Sequence, residues 1–495
     1  MQRLQDLEAE VQRLHAENRQ LQNQLFGRKS EKSAPADRTN FLEGEEEKDS
    51  LPRQRGQQPD RPGPKRRTYQ HLPVQEEVYT LPEEQRLCPQ CGQALTPSDT
   101  EDSEQIEIEV KAYRRRLRRR RYQRTCSCTG VPRTVTAPPP PKLIPKGLLG
   151  VSVWVEILLD KFFSHRPTER LLAQWGLLGL DLAPGTVTDG LQRLEPLFTP
   201  VYEALLVRNA QSAYLQADET RWLVFCDWQG KVGHTWWLWV FGGSDTVVYL
   251  LDPSRSHNVP EQHFPQNACG ILLVDRYSGY KAMAQVKAGT LLLAFCWAHV
   301  RRDFVRVGKG WPELKAWALD WLQRIRELYR LNRQRLQDPA AVGADAALRQ
   351  AVNALAQQVA ADLADPSLRE PCRRVLTSLQ EHWSGLTLFV DDPRIPLDNN
   401  SSERRLRGPA LGRKNYDGSG ALWSGRLAAM LFSILATLQL WKINPRLWLR
   451  WFLDSCAAAG GQTPQDIQPF LPWNLSAEKR AELSLPTNPP TTDSS

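Results

Sequence analysis

Three acids stand where chemistry can be built. Asp218 closes the run "SAYLQAD", Asp275 closes the apolar run "GILLVD", and Glu403 follows the capping residues of "PLDNNSSE". Each has an ordinary reading by itself, since an Asp at the end of a strand commonly accepts from the N–H groups of a turn. Acids at the carboxyl ends of strands in one α/β sheet, however, share an edge despite their distance in sequence. Three carboxylates crowded there repel one another. Hard divalent cations with oxygen ligands, Mg²⁺ or Mn²⁺, remove that cost. Two such ions about 4 Å apart suit phosphodiester chemistry, one activating the attacking oxygen and the other stabilising the leaving one.

A second constellation lies upstream. "LCPQCG" and "RTCSCTG" supply Cys88, Cys91, Cys126 and Cys128, the four thiolates that a structural Zn²⁺ needs, although the second pair is CxC where CxxC is usual. Between the pairs run Arg114, Arg115, Arg116, Arg118, Arg119, Arg120 and Arg121, flanked by Tyr113 and Tyr122. Guanidinium forks at that density suit the phosphates of DNA, and the plain alternative is a solvated ribbon face. Nine cysteines, clustered only at these pairs, fit a reducing compartment better than a disulfide framework.

The elements that must position these residues can be read from composition and period. The chain has 495 residues, 41% of them apolar, enough for several structural units. Lys plus Arg number 64 against 56 Asp plus Glu, and the pI near 9.0 fits a polyanionic partner. No window reaches 18 uninterrupted apolar residues, and Leu427–Trp441 reads as a buried helix, so a soluble cytoplasmic protein with no membrane contact is expected.

Residues 1–29 carry a heptad with Leu4, Val11, Asn18 and Leu25 at a and Leu7, Leu14 and Leu21 at d. That seam predicts a two-stranded coiled coil and hence a homodimer, or else one amphipathic helix docked on its own protein. Residues 30–79 form a polar linker, 80–136 the zinc module and 137–147, "APPPPKLIPKG", a stiff spacer. Residues 148–208 have helical spacing broken at Arg166-Pro167 and from Gly176 to Pro184, compatible with a helix-turn-helix or with plain helical packing. From 212 the period becomes that of short, mostly antiparallel strands. A helical stretch follows over about 311–395, with Trp317, Trp321, Ile325 and Leu328 on one stripe. The strands and the late helix delimit a domain over 209–455, and 456–495 is a partly disordered extension.

Taken in order, "LFGRKSEK" (25–32), the paired cysteines, "QADET", "VDRYSGY", "CWAHVRRDF" (296–304) and "DNNSSERRLR" followed by "GRKN" (412–415) resemble the DDE transposases of the family named for insertion sequence 66. The resemblance runs over about 1–455. It implies a multidomain α/β protein whose RNase H-like, mixed-sheet catalytic core carries Asp218, Asp275 and Glu403 as its triad. The helical stretch before Glu403 would be an insertion in that core. The implied activity is hydrolysis of DNA at each element end, followed by attack of the freed 3′-hydroxyl on target DNA, with accessory proteins encoded by the same element as partners. A bacterial, nucleoid-associated location goes with it.

Arg404, Arg407 and Lys414 are placed to hold phosphates near the third acid, or are ordinary helix charges. Cys296 and His299 match a CxxH spacing found after the second acid of several such enzymes, which makes His299 a supporting residue. The alternative is a core thiol beside a histidine satisfied by backbone. One departure is Arg276, where the family commonly has Gly after the second acid. Two other functions stay open at this point: a nuclease or resolvase that cuts without joining, and an inactive DNA-binding regulator.

Overall fold

The structure, a computed structural model, describes residues 134–228, 233–338 and 343–484, together with 110–123 and scattered positions ahead of them. The expected coiled coil, most of the linker, and Cys88, Cys91, Cys126 and Cys128 lie outside the described residues. The arginine run leads, fully exposed, into a short antiparallel ribbon of β1 (Arg121–Gln123) and β2 (Thr134–Thr136).

The centre is a five-stranded sheet of β3 (Tyr214–Leu223), β4 (Thr235–Gly242), β5 (Val247–Asp252), β6 (Gly270–Val274) and β7 (Leu291–Phe295). Its order is β5-β4-β3-β6-β7. The first three strands form an antiparallel meander, and β6 and β7 run parallel to β3. A mixed sheet of this order, covered by helices, is compatible with an RNase H-like core.

Alternation along β4 divides the interior in two. Trp236, Leu238 and Val240 face one apolar cluster, while Trp239 and Phe241 face another. The first cluster takes in α1 (Val151–Leu158), α2 (Thr168–Gly176) and α3 (Pro184–Ala210), whose limits match the breaks expected at Pro167 and before Pro184. Residues 148–208 therefore share a core with the sheet and with the chain's last helices.

The second cluster is filled by three short helices, α4 (Asn258–His263), α5 (Ser278–Lys281) and α6 (Ala284–Lys287), and by a run of longer ones. These are α7 (Trp297–Gly310), α8 (Lys315–Gln337), α9 (Ala344–Ala364), α10 (Glu370–Glu381) and α11 (Trp383–Asp391). The expected stripe is the buried one on α8, and the indole N–H groups of Trp317 and Trp321 both donate to Asp362 on α9 (3.2 and 3.0 Å). Gly385 lets α11 approach β7, since a Cβ there would lie 2.4 Å from the Leu293 carbonyl oxygen.

After α12 (Asn400–Tyr416) come α13 (Leu422–Leu440), α14 (Pro445–Ala458) and α15 (Ala477–Glu482). By length and composition α13 could cross a membrane, yet 67% of that window is buried inside the protein. Its hydroxyls explain why it lies where it does. Ser433 accepts from the Tyr249 N–H (2.8 Å), and Thr437 both accepts from the Val247 N–H (3.0 Å) and donates to the Val247 carbonyl (3.1 Å), closing the open edge of β5.

One expectation is corrected. "SAYLQAD" reads as a run that Asp218 closes, but β3 is one ten-residue strand and Asp218 lies within it. Glu219 and Thr220, which follow Asp218, continue the strand and pair in register with Trp239 and Leu238. The charge of Glu219 is met by Arg255 and Tyr280, so it has no need of a turn.

Candidate active site

The edge beside which the three acids lie is set by where parallel pairing stops. β3 and β6 pair from Tyr214–Ile271 to Gln216–Leu273, and the two strands then part. Asp218 lies two residues past that point on β3, and Asp275 immediately follows β6. Glu403 comes from the first turn of α12, which packs along β3.

Asn399, a residue treated in the sequence only as a cap, joins these pieces. Its side-chain amide donates to the Ala217 carbonyl (2.7 Å), its backbone N–H donates to Cys296 Sγ (3.2 Å), and its carbonyl accepts from the Glu403 N–H (3.2 Å). It is fully buried, so each bond is worth keeping: an orphaned donor or acceptor there costs about 1–3 kcal/mol. The neighbour of the first acid, the start of α7 and the backbone of the third acid are thus tied through one residue, by its side chain and its backbone.

The electrostatics show the acids as a group. Burial, then the charge of Glu219, then those of Asp275 and Glu403 push the Asp218 carboxyl up to about 7, against the lowering effect of the Glu219 N–H that Asp218 accepts at 2.8 Å. Asp275 accepts from the Tyr277 N–H (2.9 Å). Glu403 pairs with Arg302 on α7, and His299 Nε2 lies 3.8 Å from the same carboxylate oxygen. Burial and then Arg302 hold the His299 imidazole below its usual range, so it is neutral near pH 7.

Cys296 is a core thiol, pushed up by burial, whereas His299 faces the acids; the CxxH spacing thus divides between packing and the site. The unusual Arg276 turns away from the acids. It pairs with Asp303 on α7 and donates to Ser378 Oγ on α10 (2.9 Å), fastening the end of β6 to the inserted helices.

A fourth acid, missed in the sequence, lies beside the group. Glu219 has a side chain only 1% exposed; it accepts two bonds from Arg255 (2.9 and 2.6 Å) and one from the Tyr280 hydroxyl (2.7 Å). Arg255 is itself stacked against Tyr277 and Trp237, with its guanidinium carbon 4.1 and 4.6 Å from the ring centres. Direct adjacency to Asp218 was the signal available for Glu219; nothing in the sequence pointed to Arg255.

Among the cations expected to meet phosphate, Arg404, Arg407 and Lys414 are exposed and enter no ion pair among the described residues. Arg413, which was not singled out, instead holds α12 to β3 through Thr220 Oγ1 (3.3 Å) and the Arg221 carbonyl. The Arg114–Arg121 run is exposed and remote in sequence from these acids.

The residues present fit a divalent cation by donor type and by charge. All three acids offer hard oxygen, and Asp218 carries a carboxyl whose ionised form is disfavoured by its neighbours. As they stand, no three His, Cys, Asp or Glu side chains among the described residues converge on one point, and Glu403 is held by Arg302.

The chain is 29% identical over 430 residues to uncharacterized protein y4jD of Sinorhizobium fredii, covering 83% of this chain and 81% of that one. It is 26% identical over 422 residues to uncharacterized protein y4hP of the same organism, covering 80% and 75%. A family model described as transposase IS66 family matches residues 146–427, a stretch that holds the whole sheet, the inserted helices and all three acids. The chain therefore belongs to the IS66 transposase family.

Proposed function

We propose that the chain is a DDE transposase that cuts DNA at the ends of its element and transfers each freed 3′-hydroxyl into target DNA. The observation that carries this reading is the placement of Asp218 and Asp275 just past the end of the parallel pairing of β3 and β6, with Glu403 on α12 near enough to add to the charge felt by Asp218, all within the family stretch. These three residues would hold Mg²⁺ or Mn²⁺, whose chemistry when bound is to favour the attacking oxygen and offset charge on the leaving one. The chain's own residues do the rest. Asn399 keeps the first and third acids in register, and Arg404, Arg407 and Lys414 on α12 are free to hold strand phosphates beside Glu403. Cleavage breaks the bond from phosphorus to the 3′-oxygen as water adds. In transfer, that 3′-oxygen attacks a target phosphorus and displaces its 3′-oxygen in turn.

Incubation of the full chain with Mg²⁺, DNA carrying the element ends and a target plasmid should give joined products on a denaturing gel. Cut ends without joining would assign it instead to nucleases or resolvases. No reaction under conditions where the ends are bound would favour a regulator.

The same reading keeps one Zn²⁺ on Cys88, Cys91, Cys126 and Cys128, DNA tracking by Arg114–Arg121, a parallel dimer through residues 1–29, and accessory proteins from the same element. Elemental analysis should return one zinc per chain, and sedimentation a dimer that Leu14→Pro dissociates. Zinc near zero, or a monomeric unmutated protein, removes that part.

A further inference from the structure

We propose that Arg302 is a latch on Glu403: without DNA it occupies the third carboxylate, and a strand phosphate entering the site takes the guanidinium and releases Glu403 to the divalent cations. This rests on the reading of Asp218, Asp275 and Glu403 as metal ligands.

The ion pairs around the site differ in kind. Arg255 holds a carboxylate that is 1% exposed and also bonded by Tyr280, and Arg276 with Asp303 is 16% and 19% exposed, so both are built into the packing. The Arg302 side chain is 45% exposed and that of Glu403 27%, so the guanidinium can be reached from solvent while still engaged. An exposed pair of this sort is worth little and yields readily to a competing anion. A phosphate diester is such an anion, and its two non-bridging oxygens match the N–H fork of guanidinium, which makes Arg a favoured partner.

The helix register supports the exchange. His299 and Arg302 are three residues apart on one face of α7, with Arg302 3.0 Å from His299 Nε2, so both reach the same Glu403 oxygen. When Arg302 leaves, His299 remains beside the carboxylate, 3.8 Å from the same oxygen. Arg404, next to Glu403 and unpaired among the described residues, is a second contact for the same phosphate. The consequence of the latch is thermodynamic coupling: DNA raises metal affinity, and by reciprocity metal raises DNA affinity by the same factor. Divalent ions would then assemble at the acids mainly when a strand is present.

The test is Mn²⁺ binding to the DNA-free, full-length protein, read from the loss of the free-ion electron paramagnetic resonance signal. Arg302→Gln should bind Mn²⁺ about five-fold more tightly than the unmutated protein, the size of a half-exposed pair. Arg302→Lys, which keeps the charge, should restore the weaker binding, a rescue that a purely structural role would not produce. Fluorescence anisotropy with a 30-base-pair duplex of arbitrary sequence should show that Ca²⁺ strengthens DNA binding of the unmutated protein, and that this enhancement shrinks by about the same five-fold in Arg302→Gln. If Arg302→Gln binds Mn²⁺ no more tightly while Asp218→Asn loses it, the latch is overturned and the metal site stands. If Asp218→Asn binds Mn²⁺ as well as the unmutated protein, the metal site itself fails and the latch with it.

Discussion

Asp218→Asn, Asp275→Asn and Glu403→Gln each lower strand cleavage by roughly a thousand-fold or more, the rate equivalent of about 4 kcal/mol of lost transition-state stabilisation. DNA-end binding, measured by anisotropy, changes little. Each substitution removes a charge and almost no volume. Asn at 218 still accepts from the Glu219 N–H, and Asn at 275 from the Tyr277 N–H, so the backbone that shapes the edge is kept. Glu403→Gln surrenders its charge to Arg302 but leaves the α12 backbone held by Asn399. The loss should therefore fall on chemistry, read as nicking of labelled element ends in Mg²⁺. It should not be recovered by more protein. A variant that cleaves at a near-normal rate removes its residue from the triad, and cleavage by all three would transfer the function to another class.

What the sequence made legible, and what it hid, follows from the range of each interaction. Strand and helix periods are local, so the runs that became β4 to β7 and the stripe on α8 could be read directly. Whether a carboxylate needs solvent is not local. The partners that let Glu219 lie buried within a strand, Arg255 and Tyr280, are 36 and 61 residues further on. Asp218 was therefore placed at a strand end, when what ends near it is only the parallel partner of that strand.

Asn399 was hidden in a similar way. "DNNSSE" announces a helix start, and capping accounts for such residues without remainder, so nothing in the pattern assigns one of them to a carbonyl 182 residues away. Arg302 lies inside a quoted motif, yet a motif gives order and not contact. Its pairing with Glu403 spans 101 residues and exists only because α7 and α12 both pack at the end of β3 and β6.

The high Asp218 carboxyl also makes an expected result in stability, and its sign is opposite to that of an ordinary ion-paired acid. In the folded chain the group holds its proton up to about pH 7; unfolded, it releases it near 3.8. Between those values the native state binds more protons than the unfolded one, so this residue makes the protein less stable as pH rises through that window. The penalty is absent below the unfolded value and complete above the folded one. The full linkage is at most about 4 kcal/mol. Solvent reaches the half-buried group and screens part of that, which leaves about 2 kcal/mol to be observed.

Asp218→Asn removes the penalty, so urea denaturation should find the variant close to the unmutated protein at about pH 3 and more stable by about 2 kcal/mol at pH 8. Glu219, also raised, first by burial, is present in both proteins and does not enter the difference to first order. Mg²⁺ should narrow the gap at pH 8, because a cation that binds the native carboxylates stabilises only the protein that has them all. A gap that does not change with pH would mean that Asp218 is already ionised without cost. The crowding of charge on which the metal reading rests would then be absent.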